Sequence, residues 1–191
     1  MENLLLGLKR VAIFFLIFIG HIGLSYGETS ESSFSLKAGM LFEGEFYSDP
    51  PDAYFATDSG LMLQLNLETM LAEKMSAGVL YSRANTAVSN DDTVINTYGV
   101  TLKAHINPDK AIKIRPGIAI GYQTIEFDSS QSDNIKGLGI GAFIELLFSN
   151  IAGVDVVTEL GFITQPAGGN EDIDLTFAPI MYLTGGINFG F

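Results

Sequence analysis

Few side chains in this sequence could carry chemistry. Of its two histidines, His21 lies in an apolar N-terminal stretch, so His105 is the one imidazole left to the remainder. A nucleophile needs its base within hydrogen-bond reach, and no serine stands close to His105 in the sequence. Glu43 and Glu45 could do acid–base work, although alternate carboxylates on one strand also arise when that face is simply polar. Cysteine is absent, which excludes disulfides and thiolate metal sites, and one histidine argues against zinc. Hard cations favour clustered carboxylates. Asp49, Asp52, Asp58, Asp91, Asp92, Asp128, Asp133, Glu171 and Asp172 fall between the apolar segments, but none has the spacing of a calcium-binding hand, and solvated loop charge accounts for them. The expectation is no catalytic residue, no metal, no cofactor and no enzyme.

The elements that would hold these residues begin after residue 27. Lys9 and Arg10 precede the apolar run Val11 to Ile19, and Ser25 and Gly27 supply small residues before a cut after Gly27. This is the pattern of a cleavable signal peptide. Nine apolar residues are too short for a spanning helix, which needs about 20. The predicted domains are therefore 1-27 signal peptide, 28-33 a short N-terminal segment, and 34-191 one domain. Loss of Glu2, Lys9 and Arg10 takes 22 acidic and 10 basic residues to 21 and 8, a net charge of -13. Phosphate backbones would repel such a chain, so no nucleic-acid partner is expected.

From Phe34 onward the dominant signal alternates with period two. It predicts eight strands, at 34-46, 59-71, 76-87, 94-106, 111-126, 135-148, 153-165 and 174-191. Tight turns at one end ("AEKM", "NPDK", "SNIA") face mostly longer, acidic connections at the other, the longest being "YSDPPDAYFATD". Along the second strand Leu61, Leu63, Leu65, Leu67 and Leu71 share one side against Gln64, Asn66 and Glu68. The fifth and sixth strands repeat this division, with Gly117, Gly121, Gly137, Gly139 and Gly141 on the polar sides and Gly186 on that of the last strand. A soluble lipocalin-like barrel would turn its apolar face inward and show water a densely charged exterior. Here the polar face is rich in Gly, Ala, Thr and Asn, which suits the crowded lumen of an eight-stranded barrel with its apolar face toward lipid. Hydrocarbon offers the backbone no hydrogen bonds, so such a sheet must close on itself. Pro116 and Pro179 lack a donor inside strands and predict local bulges.

An eight-stranded meander ending on "INFGF" resembles the small outer-membrane β-barrels related to the OmpA transmembrane domain, OmpX and OmpW, over essentially all of 34-191. The fold expected is all-β: an eight-stranded antiparallel up-and-down transmembrane barrel. Phe191, Phe189, Ile187 and Leu183 resemble the terminal signal read by the outer-membrane assembly machinery, and Phe191 would also close the barrel against the first strand. With both termini in the periplasm, the polar faces place Lys37, Glu68, Lys103, His105, Lys113, Arg115, Glu145, Asp155 and Glu159 in the lower lumen, where cations and anions would neutralise one another, either to plug the lumen against ions or simply because inward positions must be polar and paired. Glu43, Glu45 and Arg83 are expected in the upper lumen. Barrel enzymes that modify lipid A use an outer-rim histidine, whereas His105 is expected at the periplasmic end. Strand-end aromatics, Tyr47, Tyr54, Tyr98 and Tyr122 among them, would be interfacial anchors. The resemblance implies a monomeric, nonenzymatic integral protein of the Gram-negative outer membrane, in contact with lipid and lipopolysaccharide and serving a structural or surface-interaction role. The alternative is a narrow channel or binding barrel for small or hydrophobic solutes, favoured if the inward glycines leave a cavity.

Overall fold

A computed structural model of the chain describes residues 32–49, 52–128, 134–151, 154–170 and 173–191. The expected signal peptide, and Asp133, Glu171 and Asp172 of the loops, lie outside these residues. Ten strands run in chain order: β1 Ser32–Leu41, β2 Gly44–Asp49, β3 Ala53–Thr57, β4 Gly60–Ala72, β5 Met75–Val88, β6 Asp91–Ala104, β7 Ile112–Phe127, β8 Ile135–Ile151, β9 Val154–Gly169 and β10 Asp174–Gly190. All pair antiparallel. Sequential neighbours follow one another around a ring, and β1 meets both β4 and β10. Ser32 and Phe191 exchange backbone hydrogen bonds of 3.0 and 2.8 Å at the seam, so no sheet edge is left open there.

The ten strands amount to eight ribbons, because β2 continues β1 and β3 continues β4 across short breaks. Leu41 pairs with Gly60 and Gly44 pairs with Thr57, leaving Phe42, Glu43, Asp58 and Ser59 between the ladders. The segment Tyr47 to Asp58, expected as a loop, is therefore mostly a hairpin extending the wall. The "SNDD" connection is also tight. Ser89 and Asn90 have φ of 52° and 70°, the two positive values of a type I′ turn.

Pro179 sits in the predicted bulge, since the β9–β10 register shifts between Phe177 and Ile180. Thr164 Oγ1 donates to the Phe177 carbonyl at 2.6 Å and Gln165 Nε2 to the Leu175 carbonyl at 3.0 Å, so side chains satisfy backbone near the irregularity. Pro116 does not make a bulge. It pairs with Ile144 in regular register, and its missing donor coincides with a lapse in the β6–β7 ladder between Lys103–Gly117 and the Ile106–Ile114 bridge.

Burial assigns the faces. Leu36, Leu63, Ile118, Ile144, Leu160 and Leu183 are representative of a broad exposed apolar band on the outer wall. Inside, Lys37, Gln64, Lys103, Gln123, Gln165 and Glu145 are each at most 1% exposed. Toward the β2–β3 end the division reverses. On β7 the outward residues pass from Ile118, Ile120 and Tyr122 to Thr124 and Glu126, while the inward ones pass from Arg115 and Gln123 to Ile125. Leu41, Phe46, Ile95, Ile135, Phe177 and Ile180 join Ile125 in one buried apolar cluster. The barrel is thus polar inside where its wall is apolar, and apolar inside where its wall is polar.

Candidate functional site

The lumen packing is set by three adjacent strands. Gly117, Phe143 and Gly161 are successive partners across β7, β8 and β9. A Cβ on Gly117 would lie 2.5 Å from the Phe143 ring, and one on Gly161 would lie 2.7 Å from both Phe143 Cβ and the Tyr182 hydroxyl. These glycines make room for aromatic side chains that fill the barrel. Gln123 lies over Gly139, and Gln165 over Gly137 and Gly168, in the same manner. The glycines expected to leave a cavity therefore do not do so at these positions, and the lumen pocket beside Gln64, Gln123 and Tyr182 holds only about 20 Å³, room for about one water.

One row toward the β1 end, Arg115, Glu145 and Glu159 are ladder partners across the same three strands. Two carboxylates directly opposite repel each other and need cations between them. Lys37 Nζ supplies one, 3.0 Å from Glu145 and bonded also to Glu159. Lys103 Nζ lies 2.7 Å from Glu68, 3.1 Å from Glu145 and 5.6 Å from the Phe143 ring centre. Arg115 contacts Glu68 at 2.6 Å and pairs with Glu145. The Tyr182 hydroxyl donates to Glu159 at 2.7 Å, and Ser33 and Asn66 donate to Glu68. Three cations and three anions form one buried, hydrogen-bonded layer across the lumen, the arrangement in which buried charge is tolerated.

The other expected members of this network stand at its edge. Lys113 and Asp155 are half-buried. His105 lies just past β6, and its Nε2 is hydrogen-bonded to Ser76 Oγ at 2.8 Å. Sequence reading missed that serine because 29 residues separate the two, and only the β5–β6 pairing, in which Ser76 faces Lys103, brings them together. Both side chains are buried, Ser76 to 1% exposure, so the pair serves as a lumen hydrogen bond.

Glu43, Glu45 and Arg83 do not meet in the upper lumen. Glu43 is exposed in the break between β1 and β2, and Glu45 is exposed on β2, where Phe46 and Ser48 take the inward positions. Arg83 is exposed on the outer wall, between the inward Ser82 and Ala84. The Phe46 and Phe177 rings, 4.9 Å apart, fill the position expected for the glutamates. The residues missed were these apolar ones. Their signal was the change of phase after Tyr122 on β7 and at the β10 bulge.

Phe191, Phe189, Ile187 and Leu183 all lie exposed along the last strand and its end. Tyr81, Tyr98 and Tyr122 occupy one row on β5, β6 and β7, and the rings of the first two are 5.2 Å apart. Among the described residues no three His, Cys, Asp or Glu side chains converge with metal-binding geometry.

No protein-family model matches the sequence, and no curated protein matches it. Solved structures do. Neisserial surface protein A superposes with a TM-score of 0.64 at 12% identity, over 86% of this chain and 100% of that one. The outer membrane protein OprG from Pseudomonas aeruginosa gives 0.59 at 11% identity, over 85% and 97%. Ail, the attachment invasion locus protein of Yersinia pestis, gives 0.51 at 13% identity, over 85% and 100%. Identities this low speak to fold, and the fold of this chain is that of the small eight-stranded outer-membrane β-barrels.

Proposed function

We propose that this protein is a nonenzymatic integral barrel of the Gram-negative outer membrane, exported by its signal peptide, inserted as a monomer by the assembly machinery, and serving a structural or surface-interaction role. Support for the membrane reading comes from the exposed aliphatic band backed by a polar lumen, the inverse of a soluble barrel. The observation that carries the closed-lumen reading is the layer formed by Lys37, Lys103, Arg115, Glu68, Glu145 and Glu159. A free ion crossing it would have to displace paired charges whose separation costs several kcal/mol. The apolar cluster of Leu41, Phe46, Ile125 and Phe177 stands above it as a second barrier. The alternative is a narrow channel or solute-binding barrel, which rested on space beside the inward glycines; against it, Phe143, Gln123 and Gln165 fill the space beside Gly117, Gly139 and Gly137. Planar-bilayer recording on purified protein tests the proposal. The expected trace is free of a large, steady open level, and such a level would refute the closed lumen.

A further inference from the structure

Arg83 is a cation on the outward wall at the upper end of the apolar band. Its ladder partners are Leu63 and Asn96, and the Tyr81–Tyr98 pair lies one outward row below it. Its Nε donates to Asn85 Oδ1 at 3.2 Å, and among the described residues no carboxylate forms an ion pair with it. A cation facing lipid costs about 2–4 kcal/mol at the midplane and about 0–1 near the interface, so Arg83 is tolerable only at head-group level. The row of Tyr81, Tyr98 and Tyr122 marks that level on these strands. The exposed Leu63 stands level with Arg83 and Leu65 level with the tyrosines, and one outward row below them the exposed Val100 and Ile120 continue a track for an acyl chain. Above it, starting at the Asn85 that holds Arg83, a groove of about 810 Å³ runs past Asp58, Asp92 and Glu126.

We infer that Arg83 and this groove form an outer-wall site for one anionic lipid, whose single phosphate sits on Arg83 and whose uncharged, hydroxyl-rich head lies in the groove. The inference rests on the membrane reading above. A guanidinium meets a phosphate through two parallel hydrogen bonds, and hydroxyls can donate to the groove's carboxylates. A second phosphate would meet Asp58, Asp92 and Glu126 and be repelled. Glu126 accepts from Asn96 Nδ2 at 3.3 Å, which puts its carboxylate beside the ladder partner of Arg83. It therefore weakens the site and tunes it against more highly charged heads.

The test uses full-length protein in phosphatidylcholine nanodiscs doped with phosphatidylglycerol, with a monophosphorylated or a diphosphorylated glucosamine lipid, or with a cationic lipid, and reads the lipid retained by native mass spectrometry. The wild type should enrich phosphatidylglycerol or the monophosphorylated glycolipid over phosphatidylcholine by roughly tenfold, the scale of one charge-assisted contact. The two dopants separate a phospholipid from a glycolipid source. Arg83→Gln should abolish the enrichment, Arg83→Lys should keep part of it, and Glu126→Gln should raise it and admit the diphosphorylated lipid. Equal retention by wild type and Arg83→Gln, or enrichment of the cationic lipid, would overturn the site. Protein that never enters the nanodisc would overturn the membrane reading, and the site with it.

Discussion

Leu41 and Phe46 stand five residues apart on one continuous ribbon, yet both side chains point into the barrel and are 0% exposed. Strict alternation would place them on opposite faces. Phe42 and Glu43, between the two ladders, supply the odd residue, with the Phe42 N–H donating to the Met181 carbonyl at 2.9 Å. The neighbouring strand does the same, since Phe177 and Ile180 are three apart and both buried, and Phe46 pairs directly with Phe177. Two adjacent strands thus change phase together, as paired bulges allow, and both turn apolar side chains inward toward the β2–β3 end.

Deleting Glu43 removes the extra residue and forces either β2 to turn Phe46 outward or its pairing to slip. The expected loss is about 3–5 kcal/mol, comparable with removing a buried Phe, read as a lower urea midpoint in lipid vesicles. Phe42→Ala, at an exposed position in the same break, should leave the midpoint nearly unchanged.

Glu145 touches all three cations of the lumen layer. Glu145→Gln leaves three positive groups against two negative ones and should cost about 3–5 kcal/mol in the same assay, the usual penalty for stranding buried charge. Lys113→Gln, half-buried outside the ion-paired layer, should cost far less.

Gly117→Ala puts a methyl 2.5 Å from the Phe143 ring and 3.0 Å from the Leu102 carbonyl. Overpacking of this kind costs about 1–3 kcal/mol. Because the ring is the closer obstacle, Phe143→Leu combined with Gly117→Ala should be less damaging than the sum of the two single changes, and a double-mutant cycle measures that coupling.

Burial, and next the nearby Arg115 guanidinium, hold the His105 pKa below the ordinary histidine value. A group whose folded pKa is depressed contributes stability that is full above its unfolded pKa, about 6.5, and is lost as pH falls from there toward the folded value. Urea midpoints should accordingly drop on acidifying below about pH 6.5, and His105→Gln should flatten that limb of the curve.

The order of the eight ribbons follows from the short connections, and the seam at Phe191 from the resemblance and the need of a lipid-facing sheet to close; the ribbons themselves and the outward aliphatic band are legible in the sequence because they rest on period-two alternation, which is local. Six charged lumen residues were legible for the same reason. Burial forces polar inward positions to find partners, so Lys37 and Glu145 follow from parity alone although 108 residues separate them. Glu45 and Arg83 were not legible. Carrying the parity of Lys37 forward gives Glu45 the lumen, and nothing local announces the slip at Phe42–Glu43. The weakly divided faces of β5, where Tyr81, Arg83 and Asn85 share the outward side, gave Arg83 no clear assignment. The Ser76–His105 contact depends on strand pairing, which a pattern read one strand at a time does not contain.

The chain has no cysteine, so single nitroxide labels can be placed at Leu65, Ile120, Ile125 and Glu126 without competing sites, and collision rates with oxygen and with a water-soluble nickel chelate measure what each touches. In reconstituted protein, labels at Leu65 and Ile120 should meet oxygen and exclude the chelate, a label at Glu126 should meet the chelate, and one at Ile125 should meet neither. Labels at Leu65 and Ile120 shielded from both reagents would place those side chains in a protein core and contradict the membrane barrel.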